Sequence, residues 1–478
     1  MGPCVIHSQR AKEYYLERDP ITNPLGNGEN ARWHGVGLLI LGISKGDRVH
    51  LKDFSNIIEG KDLDSRQLVQ RTYSCVNRTE HRAGLDFTFD DPKSVSICEH
   101  ILHFKSQIIL NSRHAALEKV IGHIDRNNIY YRETLDGVKT MHLSPGGVIA
   151  SFGHSLSREN DPQSHTHVIV CNMVNCPDGK IRALSNEMIF KDQKNLTAIY
   201  HSEMAYSLSQ NGFAIEPKGQ GLYEIGGIDQ KVIDQFSKRS QQIDMAVQTL
   251  RGKYPRACQA ELRLMASLST RSAKNKNITP EQLNKSWSRQ INNDLKMTKD
   301  QLVKGLESAF DQHKSQMSLK TPTTALEFVT AAVGDLRQKQ GIFRDKAVLS
   351  HAMSLSLGHY RETDISQAFY RACEIGIIQQ IDRGNFKNGL SEKVYSTPDM
   401  VKTVKENFHS LAGVYRQCEN DLNSENNNEP KCELSHNRGM DDFKIEREFK
   451  IEREELNRQY SRENDCRLSK QSEVEIGK

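Results

Sequence analysis

At 478 residues the chain exceeds the size at which one core usually stops growing, so two or three domains are expected, at least one with a sizeable apolar interior. A net charge of +4 is too small to mark a polyanion partner, and a mean hydropathy of −0.64 points to a polar segment, which lies in about the last sixty residues. Ten cysteines without CxxC spacing exclude a disulfide framework and imply free thiols in a reducing cytosol. No signal-peptide pattern opens the chain, and apolar runs such as 36–43 and 168–174 fall far short of the roughly 20 residues a membrane span needs.

From Trp33 to Val174, short apolar β-branched runs alternate with amphipathic stretches, predicting mixed α and β structure. Asp86-Phe87-Thr88-Phe89 reads as a strand, followed by Asp91 as helix N-cap, Pro92 in the first turn and a helix from Ser94. Residues 147–154 and 166–172 read as adjacent antiparallel strands around a polar loop with Arg158, Asn160, Asp161 and Pro162. Helices are predicted over 188–211 and 229–249, with a short strand at 222–228 between them. The Lys-, Asn-, Gln- and Ser-rich stretch 272–319 reads as a partly helical connector rather than a core. A second unit carries amphipathic helices around Phe328, Leu349 and Ile365 and a small β-wing over 377–395. Beyond Asn420 comes a charged tail with a tandem hexapeptide, 443–448 and 449–454. The resulting division is 1–290 for an enzyme-like domain, 291–320 for a linker, 321–410 for a small helical or winged-helix-like module and 411–478 for the tail.

Chemistry concentrates in three histidines. His165 and His167 are two residues apart on a strand, so both imidazoles project to one face. His154 closes the preceding strand, and a hairpin brings it alongside. Three neutral imidazoles leave a divalent ion its full charge and open positions, a Lewis acid for a carbonyl or phosphoryl oxygen. The plain alternative is a packed or surface histidine pair. Tyr14-Tyr15 offers a phenolic nucleophile, though such a pair on an amphipathic helix more often packs than reacts. Asp86 is a carboxylate within reach of either a ligand histidine or a tyrosine hydroxyl, with a salt-bridge role as its alternative.

The block Phe152-Gly153-His154-Ser155-Leu156-Ser157-Arg158, continuing to Asp161-Pro162-Gln163-Ser164-His165-Thr166-His167, resembles the F-x-H-x-x-S-R…PQ-x-H-x-H metal motif of conjugative relaxases of the TrwC/TraI (MobF) type, in the HUH endonuclease superfamily. His81-Arg82-Ala83-Gly84-Leu85-Asp86-Phe87-Thr88-Phe89 and Pro92-Lys93-Ser94-Val95-Ser96 are similar to a second family block, and Phe236-Ser237-Lys238-Arg239-Ser240, Thr270-Arg271 and Trp287 to later ones. The resemblance covers about 12–290 and implies an α+β fold: an antiparallel-sheet HUH domain with flanking helices, then the small helical module and the charged tail.

It further implies a metal on His154, His165 and His167, Tyr14 as nucleophile with Tyr15 beside it, and Asp86 assisting the tyrosine and a ligand histidine. The activity implied is site- and strand-specific nicking of single-stranded DNA at a transfer origin through a 5′-phosphotyrosyl link, with rejoining. Family members work with magnesium or manganese, whereas imidazole ligands by their softness favour zinc or nickel. Arg82, Lys93 and Arg182 are the expected phosphate contacts. Accessory relaxosome proteins, a separate helicase and a type IV secretion coupling protein are the implied partners, in a bacterial cytoplasm with export alongside the DNA. Departures are equally plain: Thr22, Asn23 and Pro24 stand where many relatives have a second tyrosine pair, and Asp90 and Asp91 replace small residues, an expected handicap for DNA binding. No GxxxxGK[ST] phosphate loop occurs, so no helicase motor is expected. Two rival functions follow, a catalytically weakened origin-binding protein that recruits other machinery and a metal-dependent hydrolase using activated water.

Overall fold

The computed structural model describes residues 4–7, 15, 21, 30–69, 72–75, 78–271, 278–317, 323–381 and 393–403; Tyr14, Thr22 to Pro24 and the hexapeptide tail lie outside them. The fold is α+β with antiparallel sheets. In chain order come β1 (Cys4–His7), β2 (Ala31–His34), a 3-10 turn (Val36–Leu41), α1 (Leu51–Ile58), β3 (Thr72–Cys75), β4 (Arg78–Asp90), α2 (Lys93–His100) and α3 (Ser106–Asn127). These lead into β5 (Tyr130–Leu135), β6 (Val138–Leu143), β7 (Gly147–Leu156), β8 (Pro162–Asn175), β9 (Ile181–Arg182), β10 (Leu184–Ser185), α4 (Glu187–Gln210), β11 (Ile215–Gly219), β12 (Leu222–Ile225) and α5 (Gln230–Gln235). The main sheet runs β1-β4-β8-β7-β2, with β3 on β4 and β9 on β8.

Alternation along the strands gives this sheet two different faces. Leu85, Phe87, Phe89, Ile149, Val168 and Val170 join the core formed with α2, α3 and α4. On the other face, Ala150, Phe152, Ile169 and Cys171 join Tyr15, Trp33 and Phe54. Gly84 is required by a close approach: a Cβ there would lie 2.2 Å from the carbonyl oxygen of Val170 on β8.

Two sequence expectations are corrected. The residue at the N-cap of α2 is Pro92, not Asp91; the end is served instead by Glu224 on β12, whose Oε2 accepts from the Ser94 N–H at 2.8 Å and from its hydroxyl. The helix expected over 229–249 is broken at Phe236–Ser237 into α5 and α6 (Lys238–Lys253).

The described residues divide into two compact units, one within 4–236 and 278–403 and one of 237–271. Within the described part of the second, α6 and α7 (Gln259–Ser269) pair, burying Val247, Leu262, Met265 and Ala266. Arg239 donates to the carbonyls of Thr270 and Ser267 at 2.7 Å each.

The first unit continues with α8 (Pro280–Arg289), α9 (Lys299–Met317), α10 (Ala325–Lys339), β13 (Phe343–Arg344), α11 (Asp345–Leu355), α12 (Glu362–Glu374), β14 (Gln379–Ile381) and β15 (Val394–Ser396). The stretch read as a partly helical connector contains α8 and α9, and α9 differs from that reading in burying Leu302, Leu306 and Phe310 in the main core. The polar composition that suggested a connector belongs to the outer face of α9. Helix α11 lies on α4, joined by Lys346 Nζ at 3.0 Å from the buried Asp192 carboxylate, which also accepts from Asn128 Nδ2 at 2.9 Å and faces His123 Nε2 at 3.2 Å.

Two measurements follow. Gly84→Ala should cost about 1–3 kcal/mol through the clash with the β8 backbone, read from denaturant unfolding. Burial works to raise the Asp192 pKa, but the His123 hydrogen bond and the Lys346 charge hold it at about 2, below its ordinary 3.8. The carboxylate thus adds on the order of 2 kcal/mol of stability, complete above its ordinary pKa and lost as pH falls through about 2. The fall in Tm between pH 4 and pH 2 should be smaller in Asp192→Asn than in the wild type.

Candidate metal and nucleophile site

The register of β7, β8 and β4 builds the site. His154 stands directly across from His165, and Phe152 across from His167. On the other side of β8, Thr88 is opposite His167 and Asp86 opposite Ile169, so Asp86 is the diagonal neighbour of His167, within reach of a long side chain. The three imidazoles share the face away from α2 and α3. Their ring centroids are 5.4 Å apart in all three pairs.

Among the described residues, no group of three or more His, Cys, Asp or Glu side chains is placed so that it could hold a metal ion as the rings stand. The rings nevertheless form an equilateral triangle whose centre lies about 3.1 Å from each centroid, the 5.4 Å side divided by √3. That is close to a metal–nitrogen bond of roughly 2 Å plus half the width of a ring. The donor set fits a divalent ion.

Hydrogen bonds fix which nitrogen is available. His167 Nδ1 lies 2.9 Å from both Asp86 oxygens. A carboxylate accepts, so Nδ1 carries the proton and Nε2 keeps its lone pair. His165 Nδ1 is 2.9 Å from the carbonyl oxygen of Gln163, which again can only accept. Both rings thus present Nε2. Thr88 Oγ1 stands 3.2 Å from His167 Nδ1.

Tyr15 completes this side. It is 4% exposed, set among the rings of Phe152, His167 and Phe54, and its hydroxyl donates to Asp86 Oδ2 at 2.9 Å. Asp86 occupies the Nδ1 side of His167, opposite the Nε2 that would hold a metal, so Tyr15 sits behind the ligand and steadies the carboxylate that orients it. Tyr14 lies outside the described residues.

The three expected DNA contacts are each engaged within the protein. Arg82 donates to Asn172 Oδ1 at 2.7 Å and to the Leu184 carbonyl. Lys93 Nζ donates to the Pro162 carbonyl at 2.8 Å. Arg182 pairs with Asp178 and with Glu133 and lies over the Tyr131 ring. Asp91, read as a charge beside the DNA path, is instead buried, bound to Arg113 Nε at 2.8 Å and to the Tyr200 hydroxyl at 2.5 Å.

Sequence reasoning also missed what closes the loop between the histidine strands. Asn160 adopts φ 58° there, and the buried Trp287 on α8 donates its indole N–H to the Asn160 carbonyl at 2.9 Å. Trp287 had been singled out only as a family match; its lone placement in a polar helix was the available signal.

Residues 6–293 match the TrwC relaxase family. The chain belongs to that family. It is 30% identical over 287 residues to a multifunctional conjugation protein TraI of Escherichia coli, covering 58% of this chain and 15% of that protein. Against TraI of strain K12 the figures are 26% over 362 residues, 72% and 19%. The chain therefore spans less than a fifth of the length of these relatives. A metal-bound structure of the conjugative relaxase TrwC in complex with oriT DNA superposes with a TM-score of 0.54 at 28% identity, covering 62% of this chain and 99% of that one; a copper-bound complex matches equally in identity and coverage with a TM-score of 0.53. No helix among the described residues of the present chain is long and apolar enough to cross a membrane.

Trp287→Phe keeps the ring but deletes the donor to Asn160. It should cost about 1 kcal/mol and speed amide exchange over 157–161, as read by hydrogen–deuterium exchange.

Proposed function

We propose that the chain is a conjugative relaxase that nicks one DNA strand at a transfer origin, holds the 5′ end on a tyrosine and rejoins the strand. The observation that carries this reading is the convergence of His154, His165 and His167 on one sheet face, with His167 oriented by an Asp86 that also bonds a tyrosine hydroxyl. The imidazole nitrogens of these three residues would be the atoms that hold a divalent cation. When bound there, a divalent cation supplies Lewis-acid charge against the charge that develops on the scissile phosphate. Magnesium or manganese is proposed from the family, with zinc the choice of ligand softness.

In the reaction a phenolic oxygen forms a bond to phosphorus and the bond from phosphorus to the 3′ oxygen breaks. The tyrosine gives up its proton, and the departing 3′ oxygen takes one up. No water is consumed, so the ester retains the energy needed for the 3′ hydroxyl to attack in reverse. Tyr14 is the proposed nucleophile, with Tyr15 and Asp86 holding His167. A second reading, favoured by the 2.9 Å bond from the Tyr15 hydroxyl to Asp86, makes Tyr15 the nucleophile and Asp86 its base. Arg82, Lys93 and Arg182 remain proposed as residues that line the DNA path, through the backbone and loops they hold. The proposed partners are single-stranded origin DNA, accessory relaxosome proteins, a separate helicase and a secretion coupling protein.

A labelled single-stranded origin oligonucleotide incubated with the protein and Mn²⁺, then denatured, tests this. The wild type should yield protein-linked DNA, chelation should reduce the yield to background, and Tyr14→Phe should abolish it while Tyr15→Phe only weakens it. The reverse pattern selects the second reading. Cleavage without linkage would identify a hydrolase, and binding without cleavage an origin-binding protein.

A further inference from the structure

The strand that carries His165 is held, just before that residue, by a buried ionic cluster that no part of the proposed reaction uses. Arg113 on α3 is 8% exposed and Asp91 3%. The guanidinium donates to Asp91 Oδ2 through Nε at 2.8 Å and Nη2 at 2.6 Å, and to Glu99 on α2 through Nη1 at 3.0 Å and through Nη2. One cation thus ties the end of β4 to α2.

Both carboxylate-bearing residues then grip β8. Glu99 Oε2 accepts from the Ser164 hydroxyl at 2.8 Å, and His100 Nε2 lies 2.7 Å from Ser164 Oγ. The Asp91 N–H donates to the Ser164 carbonyl at 2.9 Å, and the Ser164 N–H donates to the Ser96 hydroxyl at 3.0 Å. Gln163 Nε2 donates to the Asp91 carbonyl at 3.0 Å. Pro162 is held by Lys93, as described above. Three successive residues, 162 to 164, are therefore anchored to the segment 91–100.

The anchored stretch includes the group that orients His165, since His165 Nδ1 donates to the Gln163 carbonyl. His167 is oriented by the Asp86 carboxylate, and His165 by this backbone oxygen. We infer that Arg113, through Asp91 and Glu99, is a positioning residue for His165: it fixes the Gln163 carbonyl and so sets the direction in which His165 offers Nε2. The inference rests on the metal-binding reading above. Groups that orient metal-ligating histidines govern affinity by about 10- to 100-fold when removed. The geometry also explains why an aspartate is tolerated at position 91 in this chain. Asp91 is turned inward onto Arg113 and serves the site from behind.

The test is Co²⁺ titration of the full chain, followed by calorimetry and by the visible absorption of the bound ion, with Tm measured alongside. Arg113→Met should bind Co²⁺ about 10- to 100-fold more weakly than the wild type and shift the absorption bands. Ser164→Ala, which removes one hydroxyl and leaves the ion pairs, should fold normally and show a smaller loss in the same direction. Lys346→Met breaks a different ion pair, to the buried Asp192, far along the chain from β8; it should lower Tm while leaving Co²⁺ affinity unchanged. The inference is overturned if Arg113→Met and Ser164→Ala both keep wild-type affinity and spectrum, or if Lys346→Met loses affinity in proportion to its Tm. Failure of the wild type to bind Co²⁺ would overturn the metal-binding reading itself, and the inference with it.

Discussion

The antiparallel register of β8 between β7 and β4 is the constraint on which the rest of the site depends. It sets His154 across from His165 and makes Asp86 the diagonal neighbour of His167. Because side chains alternate, a slip of one residue would carry both β8 histidines into the apolar core beneath α2 and α3. Register is correspondingly over-determined. Gly84 allows β4 to approach β8 where any Cβ would strike the Val170 carbonyl, Trp287 holds the turn between β7 and β8, and the Arg113 cluster fastens residues 162–164.

The two histidines on β8 proposed as metal ligands are oriented by different means. His167 leans on a carboxylate that Tyr15 also holds. His165 leans on a main-chain carbonyl, whose position is only as firm as the strand that bears it. An ionic cluster at that point, shielded from water, supplies the firmness that a dedicated carboxylate supplies for His167. Burial works to raise the Glu99 pKa, yet the Arg113 charge holds it at about 2, so this carboxylate remains ionised at neutral pH.

Much of this was legible in the sequence. The parity of His165 and His167 and the hairpin that returns His154 follow from strand periodicity, and the role of Asp86 toward a histidine or tyrosine from the ordered motif blocks; that β4 pairs directly with β8 does not. Contacts between residues remote in sequence were not. Nothing local pairs Arg113 with Asp91, or Trp287 with Asn160, because both depend on tertiary approach. Composition misled at α9, where a polar outer face hid an apolar stripe of Leu302, Leu306 and Phe310. The described residues of 323–403, read from amphipathic periodicity as a small helical module, share a compact unit and apolar contacts with the histidine sheet. The tyrosine pair was read as nucleophile and neighbour, but burial shows that Tyr15 is part of the core as well as a partner of Asp86.

The central claim is that three imidazoles from two adjacent strands converge on one divalent ion. X-ray absorption at the metal edge of the Co²⁺-loaded full chain tests it most directly. The account predicts three imidazole nitrogens at roughly 2 Å, with oxygen ligands in the remaining positions, and loss of one imidazole in each of His154→Ala, His165→Ala and His167→Ala. A shell with fewer than three imidazoles in the wild type, or one unchanged by any of these substitutions, would contradict it.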